Sequence, residues 1–242
     1  MPRSFYPPRC CELETLPIID CEGNVVGWAD KLEAHLKGLR HRVACVLLFK
    51  NGRIILQQRS ALKETWPLWW DFTASGHVVK GERVEKAAER ELMEEAGVRA
   101  ALTPFKRVRE KSRHNPYKEN QDCFVFTGIT EKELKPNCEV ARFKSLTPKQ
   151  VETFLQGEKV TPALRKALEA LLKSISGGDE RSPFAVSRRA RARGPRRVGR
   201  KPRRRRPAPA KRRAKQAGLL RRSHARGRAL KKRVSKHSTT RR

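Results

Sequence analysis

The stretch SGHVVKGERVEKAAERELMEEAGV, residues 75 to 98, decides how the chain is read. Six glutamates fall between Glu82 and Glu95 in a protein that carries 57 Lys and Arg against 25 Asp and Glu, so the acids are gathered against the prevailing charge. The spacing predicts a helix from residue 84 to 96, stopped by Gly97 as its C-cap. Positions three and four apart share one side of a helix, which brings Glu91, Glu94 and Glu95 into a common volume. Arg90 offers one positive charge against three negative ones. A hard divalent cation, Mg2+ or Mn2+, prefers carboxylate oxygens and turns the repulsion into coordination. Gly76 and Gly81 give the preceding loop the freedom to bring backbone close to the same cation. Ala87 and Ala88, one turn earlier, leave the site open. The plainer reading is a solvated helix in which Arg90 and Glu94 form an ordinary i,i+4 pair.

On either side of this helix the pattern is of short strands and helices. LPIIDCEGNVVGWADK reads as two strands around Glu22-Gly23-Asn24. RVACVLLFKNGRIILQQRS reads as a stronger hairpin with Asn51-Gly52 as its turn. CFVFTGI is a further strand. LTPKQVETFLQ opens with Thr147, Pro148 and Gln150, the makings of a cap, a first-turn proline and a capping-box partner. TPALRKALEALLKS opens in the same way and puts Leu164, Leu168, Leu171 and Leu172 on one face. The class is mixed α/β, with a helix on each side of a central sheet. The longest apolar run, residues 43 to 49, is far short of the roughly 20 residues that cross a bilayer, so it is read as a buried strand and no membrane partner is expected.

Charge divides the chain. Residues 181 to 242 hold 21 Arg and 6 Lys with no acid, so most of the formal charge of +32 lies there. With few large apolar residues and one sign of charge, burial in this segment does not offset the entropy of ordering it. The expected organisation is a globular domain over residues 1–175 and a disordered Arg/Lys-rich tail over 176–242. A polycation gains from counterion release on phosphates, so nucleic acid is an expected partner without base specificity. A poorly constrained extension rich in Arg, Ala, Pro and Gly is the alternative. The six cysteines show no zinc-ligand spacing, and the early residues carry no secretory pattern, so a reducing, cytoplasmic setting is expected, nucleoid association included.

Gly76, Glu82, Arg90, Glu91, Leu92, Glu94, Glu95, Gly97 and Val98 match, position for position, the signature of the Nudix hydrolases, G-x5-E-x7-R-E-U-x-E-E-x-G-U, where U is aliphatic. The resemblance implies a Nudix-type α/β/α sandwich with a mixed sheet that cleaves a diphosphate joined to another moiety, a nucleoside diphosphate derivative or another organic diphosphate. It implies Glu91, Glu94 and Glu95 as metal ligands together with the backbone at Gly76. Arg90 orients the first glutamate, and Glu82 braces the loop.

The flanks resemble the isopentenyl diphosphate isomerase branch of that family, from about residue 16 to 172. In that branch an arginine and a lysine four residues on hold the diphosphate, here Arg59 and Lys63. His41, ahead of the first core strand, and His77 match positions that ligate a metal in the isomerases. Glu119 is a possible partner, and His35 stands one residue out of register. His41 and His77 otherwise read as polar residues at the rim of the substrate pocket. An isomerase also needs a proton-carrying cysteine and glutamate. This chain has Ser75 and Gln121 there, neither of which titrates usefully near neutral pH, so hydrolysis is favoured over isomerisation. Trp66, Trp69 and Trp70 are read as core packing, or as a wall for a base or a prenyl-like group.

Overall fold

A computed structural model describes residues 14–177 together with 183, 184, 186 and 187. The elements follow in the order β1 (Thr15–Ile19), β2 (Val25–Asp30), α1 (Lys31–Lys37), β3 (His41–Lys50), β4 (Arg53–Arg59), β5 (Trp70–Asp71) and β6 (Ala74–His77). After these come α2 (Val84–Ala96), β7 (Leu102–His114), β8 (Tyr117–Ile129), β9 (Val140–Leu146), α3 (Pro148–Gly157) and α4 (Pro162–Ser176).

One mixed sheet of nine strands forms the centre. β3 is its hub: it runs parallel to β8, antiparallel to β6, and also pairs with β1 and β4. β7 lies outside β8, and β9 lies outside β4. Alternation along β3 divides its side chains between two cores. Val43, Cys45, Leu47 and Phe49 face the side covered by α3 and α4, where Leu164, Leu168 and Leu171 are fully buried. Ala44, Val46 and Leu48 face α2, which presents Ala87, Ala88, Leu92 and Ala96. This is the expected sandwich. Ala87 and Ala88 are small because they let α2 lie close on the sheet, not because they border the carboxylates.

Local signals correspond to local structure. Asn51 and Gly52 both take positive φ, 54° and 74°, as the tight β3–β4 turn demands. Thr147 and Gln150 form a reciprocal capping box at α3. Other elements extend the sequence reading. α1 carries an Asp30 cap on the Glu33 amide and ends at Gly38, φ 69°. β7 and β8 form a hairpin of 13 residues a side, much longer than the CFVFTGI strand read from sequence.

The folded part reaches beyond the boundary drawn at residue 175. Phe184 is buried with its ring edge-on to Phe49, centroids 4.8 Å apart, and the Gly52 amide donates to Ser187 Oγ (3.1 Å). Phe184 and Ser187 fall within the expected tail of residues 176–242, and Phe184 is a large apolar side chain that packs in the core. The tail expectation otherwise falls on residues outside those described. No helix among the described residues is long and apolar enough to cross a membrane.

Candidate active site

The loop from β6 into α2 and the C-terminal half of α2 build a carboxylate centre. Gly76 lies in β6 opposite Ala44, at the point where the helix approaches most closely. A Cβ there would fall 2.0 Å from Glu91 Oε1, so only glycine leaves room for the carboxylate. Arg90 holds the loop to the helix: its Nε and Nη2 donate to the two oxygens of Glu82 (both 2.9 Å), and Nη2 also donates to the His77 carbonyl (3.0 Å). Its Nη1 donates to Glu91 (2.6 Å) and, at 3.4 Å, to Glu94. The hydrogen bonds to Glu82 first, then the charge and hydrogen bond of Glu91, raise the guanidinium above its ordinary basicity against the effect of burial. Glu82 is therefore tied to Arg90, as a brace for the loop requires.

Glu91 and Glu95 are buried while Glu94 is exposed. Glu95 Oε2 accepts from the Ser75 amide (2.8 Å) and from Gln57 Nε2 (3.0 Å), but its Oε1 has no hydrogen-bond partner and only Lys63 Nζ at 3.9 Å. Burial pushes Glu91 up to about 8, aided by the charge of Glu95 and opposed by Arg90. Burial likewise pushes Glu95 up to about 7, against the pull of Lys63 and the Ser75 amide. Two buried carboxylates with a bare oxygen suit a cation and do not suit each other. The residues present fit a Mg2+ or Mn2+ ion.

Behind the same loop lies a second cluster. His35 from α1, His41 from β3 and His77 from β6 bring one ligand atom each within 4.8 Å of one another. His41 Nδ1 donates to the Leu39 carbonyl (2.8 Å), leaving a buried Nε2 with no partner. His35 Nδ1 faces Glu119 at 3.3 Å, and His77 Nδ1 faces Glu14 at 3.2 Å. With each Nδ1 directed to an oxygen, the Nε2 atoms converge, and those of His35 and His77 stand in hydrogen-bond contact at 3.0 Å. That is the orientation which outer carboxylates and carbonyls give to metal-binding imidazoles. Burial drops His41 to about 3 and lowers His77 as well, so both stay neutral. Burial raises both carboxyls, but the contact with His77 and the charges of His77, Lys31 and Arg90 together bring Glu14 down to about 2, and the contact with His35 and the charges of the three histidines bring Glu119 below its ordinary value. His35, out of register in the sequence comparison, is turned inward by α1. Asp30 and Glu33 at the spacing of a capping box, followed by Gly38, were the signal for that helix.

The remaining expected residues are distributed around these two clusters. Arg59 is engaged by Asp71 (3.0 Å) and by the Thr65 carbonyl (3.0 Å). Lys63 reaches Glu139 (2.6 Å) as well as Glu95. Gln121, next to His41 in the β3–β8 pairing, donates to Glu119. Trp70 is core, stacked edge-on to Phe154, while Trp66 and Trp69 stack on each other with centroids at 4.5 Å, and Trp66 also meets His114. Trp66 and Leu68 hold positive φ, 53° and 64°, an uncommon backbone for such side chains.

The NUDIX domain family matches residues 38–171, over half of the chain. The chain belongs to the Nudix family. An isopentenyl-diphosphate Delta-isomerase of Nocardia farcinica is 38% identical over 159 residues, 63% of this Nudix chain and 91% of that protein. The enzyme of the same name from Haloarcula marismortui is 36% identical over 129 residues, covering 50% and 69%. A Nudix hydrolase of Listeria monocytogenes, described as uncharacterized, is 37% identical over 78 residues, 29% of this chain and 46% of that one. Among solved structures, a Deinococcus radiodurans protein aligns with a TM-score of 0.56 at 21% identity, over 65% of this chain and 98% of that one, a likeness of fold.

Proposed function

We propose that this Nudix protein hydrolyses a nucleoside diphosphate derivative or another organic diphosphate with the help of Mg2+ or Mn2+ held by Glu91, Glu94, Glu95 and the Gly76 backbone. The observation that carries the reading is the buried pair Glu91 and Glu95: Arg90 pairs with Glu91, but Glu95 Oε1 has no hydrogen bond and only Lys63 Nζ at 3.9 Å. A divalent ion held by these residues would supply neutralisation of charge on the phosphoryl oxygens and acidification of water. The protein's own part is positioning. Arg90 sets Glu91 and the loop through Glu82, and Lys63, beside Glu95, offers a cation to the diphosphate. Arg59, committed to Asp71 and Thr65, supports the loop that carries Lys63.

A second reading, isomerisation, is favoured by the names of the relatives and by the three-histidine cluster, which suits a borderline metal such as Zn2+. Against it stand Ser75 and Gln121. Moving a proton across a carbon framework needs groups that gain and lose protons near neutral pH, and a serine hydroxyl and a carboxamide do not. The deciding experiment gives the full chain isopentenyl diphosphate in deuterated water, and in parallel a panel of nucleotides, sugar nucleotides, dinucleotides and prenyl diphosphates. Phosphate or pyrophosphate release without deuterium incorporation is the expected outcome. Deuterium incorporation without release would replace this reading by the isomerase one.

A further inference from the structure

The edge strand β7 carries a base at every second position: Arg107, Arg109, Lys111 and Arg113, all exposed, while Val108 and Glu110 between them are buried. The facing residues of β8 are Phe124, Asp122, Asn120 and Lys118. Asp122 is the acid in that register, and it is fully buried. It receives Arg40 through both oxygens (2.8 Å each), is bonded by Arg107, and has Arg109 at 3.6 Å. One negative charge set among three guanidinium groups leaves the face strongly positive. Around the edge of β7 a groove of about 340 Å³ separates the strand from α4, with Lys106, Lys166 and Lys173 on its walls and Glu169 as its acid. Lys166 is tied to Glu110 (2.8 Å) and to the Arg109 carbonyl (3.1 Å). Among the described residues Lys106, Lys111, Arg113, Lys118 and Lys173 take no ion-pair partner.

We propose that this face docks the phosphate backbone of a nucleic-acid duplex, so that the folded domain adds its own polyanion-binding surface to that of the arginine-rich segment following it in sequence. Alternate residues of a strand stand about 6.8 Å apart, so the row from Arg107 to Arg113 spans about 20 Å. A duplex presents on the order of a dozen phosphate charges over that length, whereas a single small anion would meet one or two of the bases. Three of the four bases in the row are arginines, whose planar forks match phosphate oxygens. The aromatic ring of the face, Phe124, lies beneath the Arg107 guanidinium, 5.2 Å from it, so it offers no platform for an unpaired base. That favours a duplex over a single strand. The walls of the groove present Val108 and Ala170 as apolar residues, too small to anchor the side chains of an acidic peptide.

The test titrates the full-length protein with a labelled 20-base-pair DNA duplex across a range of salt. Lys111→Ala, Arg113→Ala and Lys118→Ala together should reduce the slope of log affinity against log salt by about 2.7, roughly 0.9 for each lost phosphate contact. The charge-conserving set Lys111→Arg, Arg113→Lys and Lys118→Arg should retain the slope. Lys144→Ala, Lys149→Ala and Lys159→Ala, at the far edge of the sheet by β9 and α3, should leave it unchanged. An unchanged slope in the first set, or an equal loss in the third, would overturn the proposal. So would polyglutamate displacing the duplex charge for charge, which would mark the face as a general acid-binding surface.

Discussion

Asp122, on strand β8, and Glu95, on helix α2, are both fully buried carboxylates, and the fold treats them in opposite ways. Asp122 accepts hydrogen bonds from Arg107 and Arg40, with Arg109 at 3.6 Å, and against burial the bonds and charges of Arg107 and Arg40 together hold its carboxyl below the ordinary range. Glu95 keeps an oxygen without a hydrogen bond, and burial holds its carboxyl up near 7. Where a chain supplies enough of its own cations, a buried carboxylate fastens strands together. Where it brings only Lys63, at 3.9 Å, a carboxylate oxygen is left open to the divalent cation of the proposed function. The three histidines extend the contrast: their ligand nitrogens converge, and the acids stand behind them rather than between them.

The comparison is broken most directly at Asp122. Asp122→Asn leaves Arg40 buried without its counter-charge and is expected to cost about 3 kcal/mol or more, read from the denaturation midpoint. A loss below about 1 kcal/mol would make Asp122 no structural anchor. Because the folded pKa is depressed, the stabilisation is present above the ordinary aspartate pKa of about 4 and is lost as pH falls through the folded value. The acid limb of the stability profile should therefore flatten in the variant. Next in size, Glu94→Gln should lower turnover by at least about 100-fold, near 2.7 kcal/mol of barrier, in saturating Mg2+. A near-normal rate would remove the glutamates from the proposed site.

Glu14→Gln withdraws the acid behind His77 and should weaken Co2+ binding at the histidines by about 10-fold or more, followed by the visible absorption of the bound ion. Unchanged affinity would mean that Glu14 does not orient the ring. The smallest effect is expected at Glu95→Gln. Without metal the variant should melt within about 0.5 kcal/mol of the parent or above it, since a strained charge is removed, yet its stabilisation by Mg2+ should disappear. A loss as large as that at Asp122 would show the two carboxylates to be of one kind.

Much of this was legible in the residues and some was not. The helix of Glu91, Glu94 and Glu95, the Asn51-Gly52 turn and the Thr147 cap each depend on residues within a few positions of one another, and their patterns state them directly. β7 hid behind its charge: a strand whose outward face is all Arg and Lys lacks the alternation of apolar and polar residues by which strands are usually found, although its bases do recur with period two. α1 was passed over because it is short, and with it the route by which His35 enters the histidine cluster.

By itself the sequence determined the family signature, the amphipathic faces of α2 and α4, the crowding of three carboxylates on one helix and the unequal division of charge along the chain. These are properties of spacing, and a helix or a turn converts spacing into geometry without knowledge of the rest of the fold. The tertiary structure alone decided which charges are compensated. Arg40 reaches Asp122, Glu119 reaches His35 and Glu14 reaches His77 only because β1, β3 and β8 become neighbours in a fixed register, with His41 beside Gln121. A pairing across 80 residues leaves no local periodicity to read, and burial, which sets how strongly each charge is felt, exists only once the sheet and its two layers have closed.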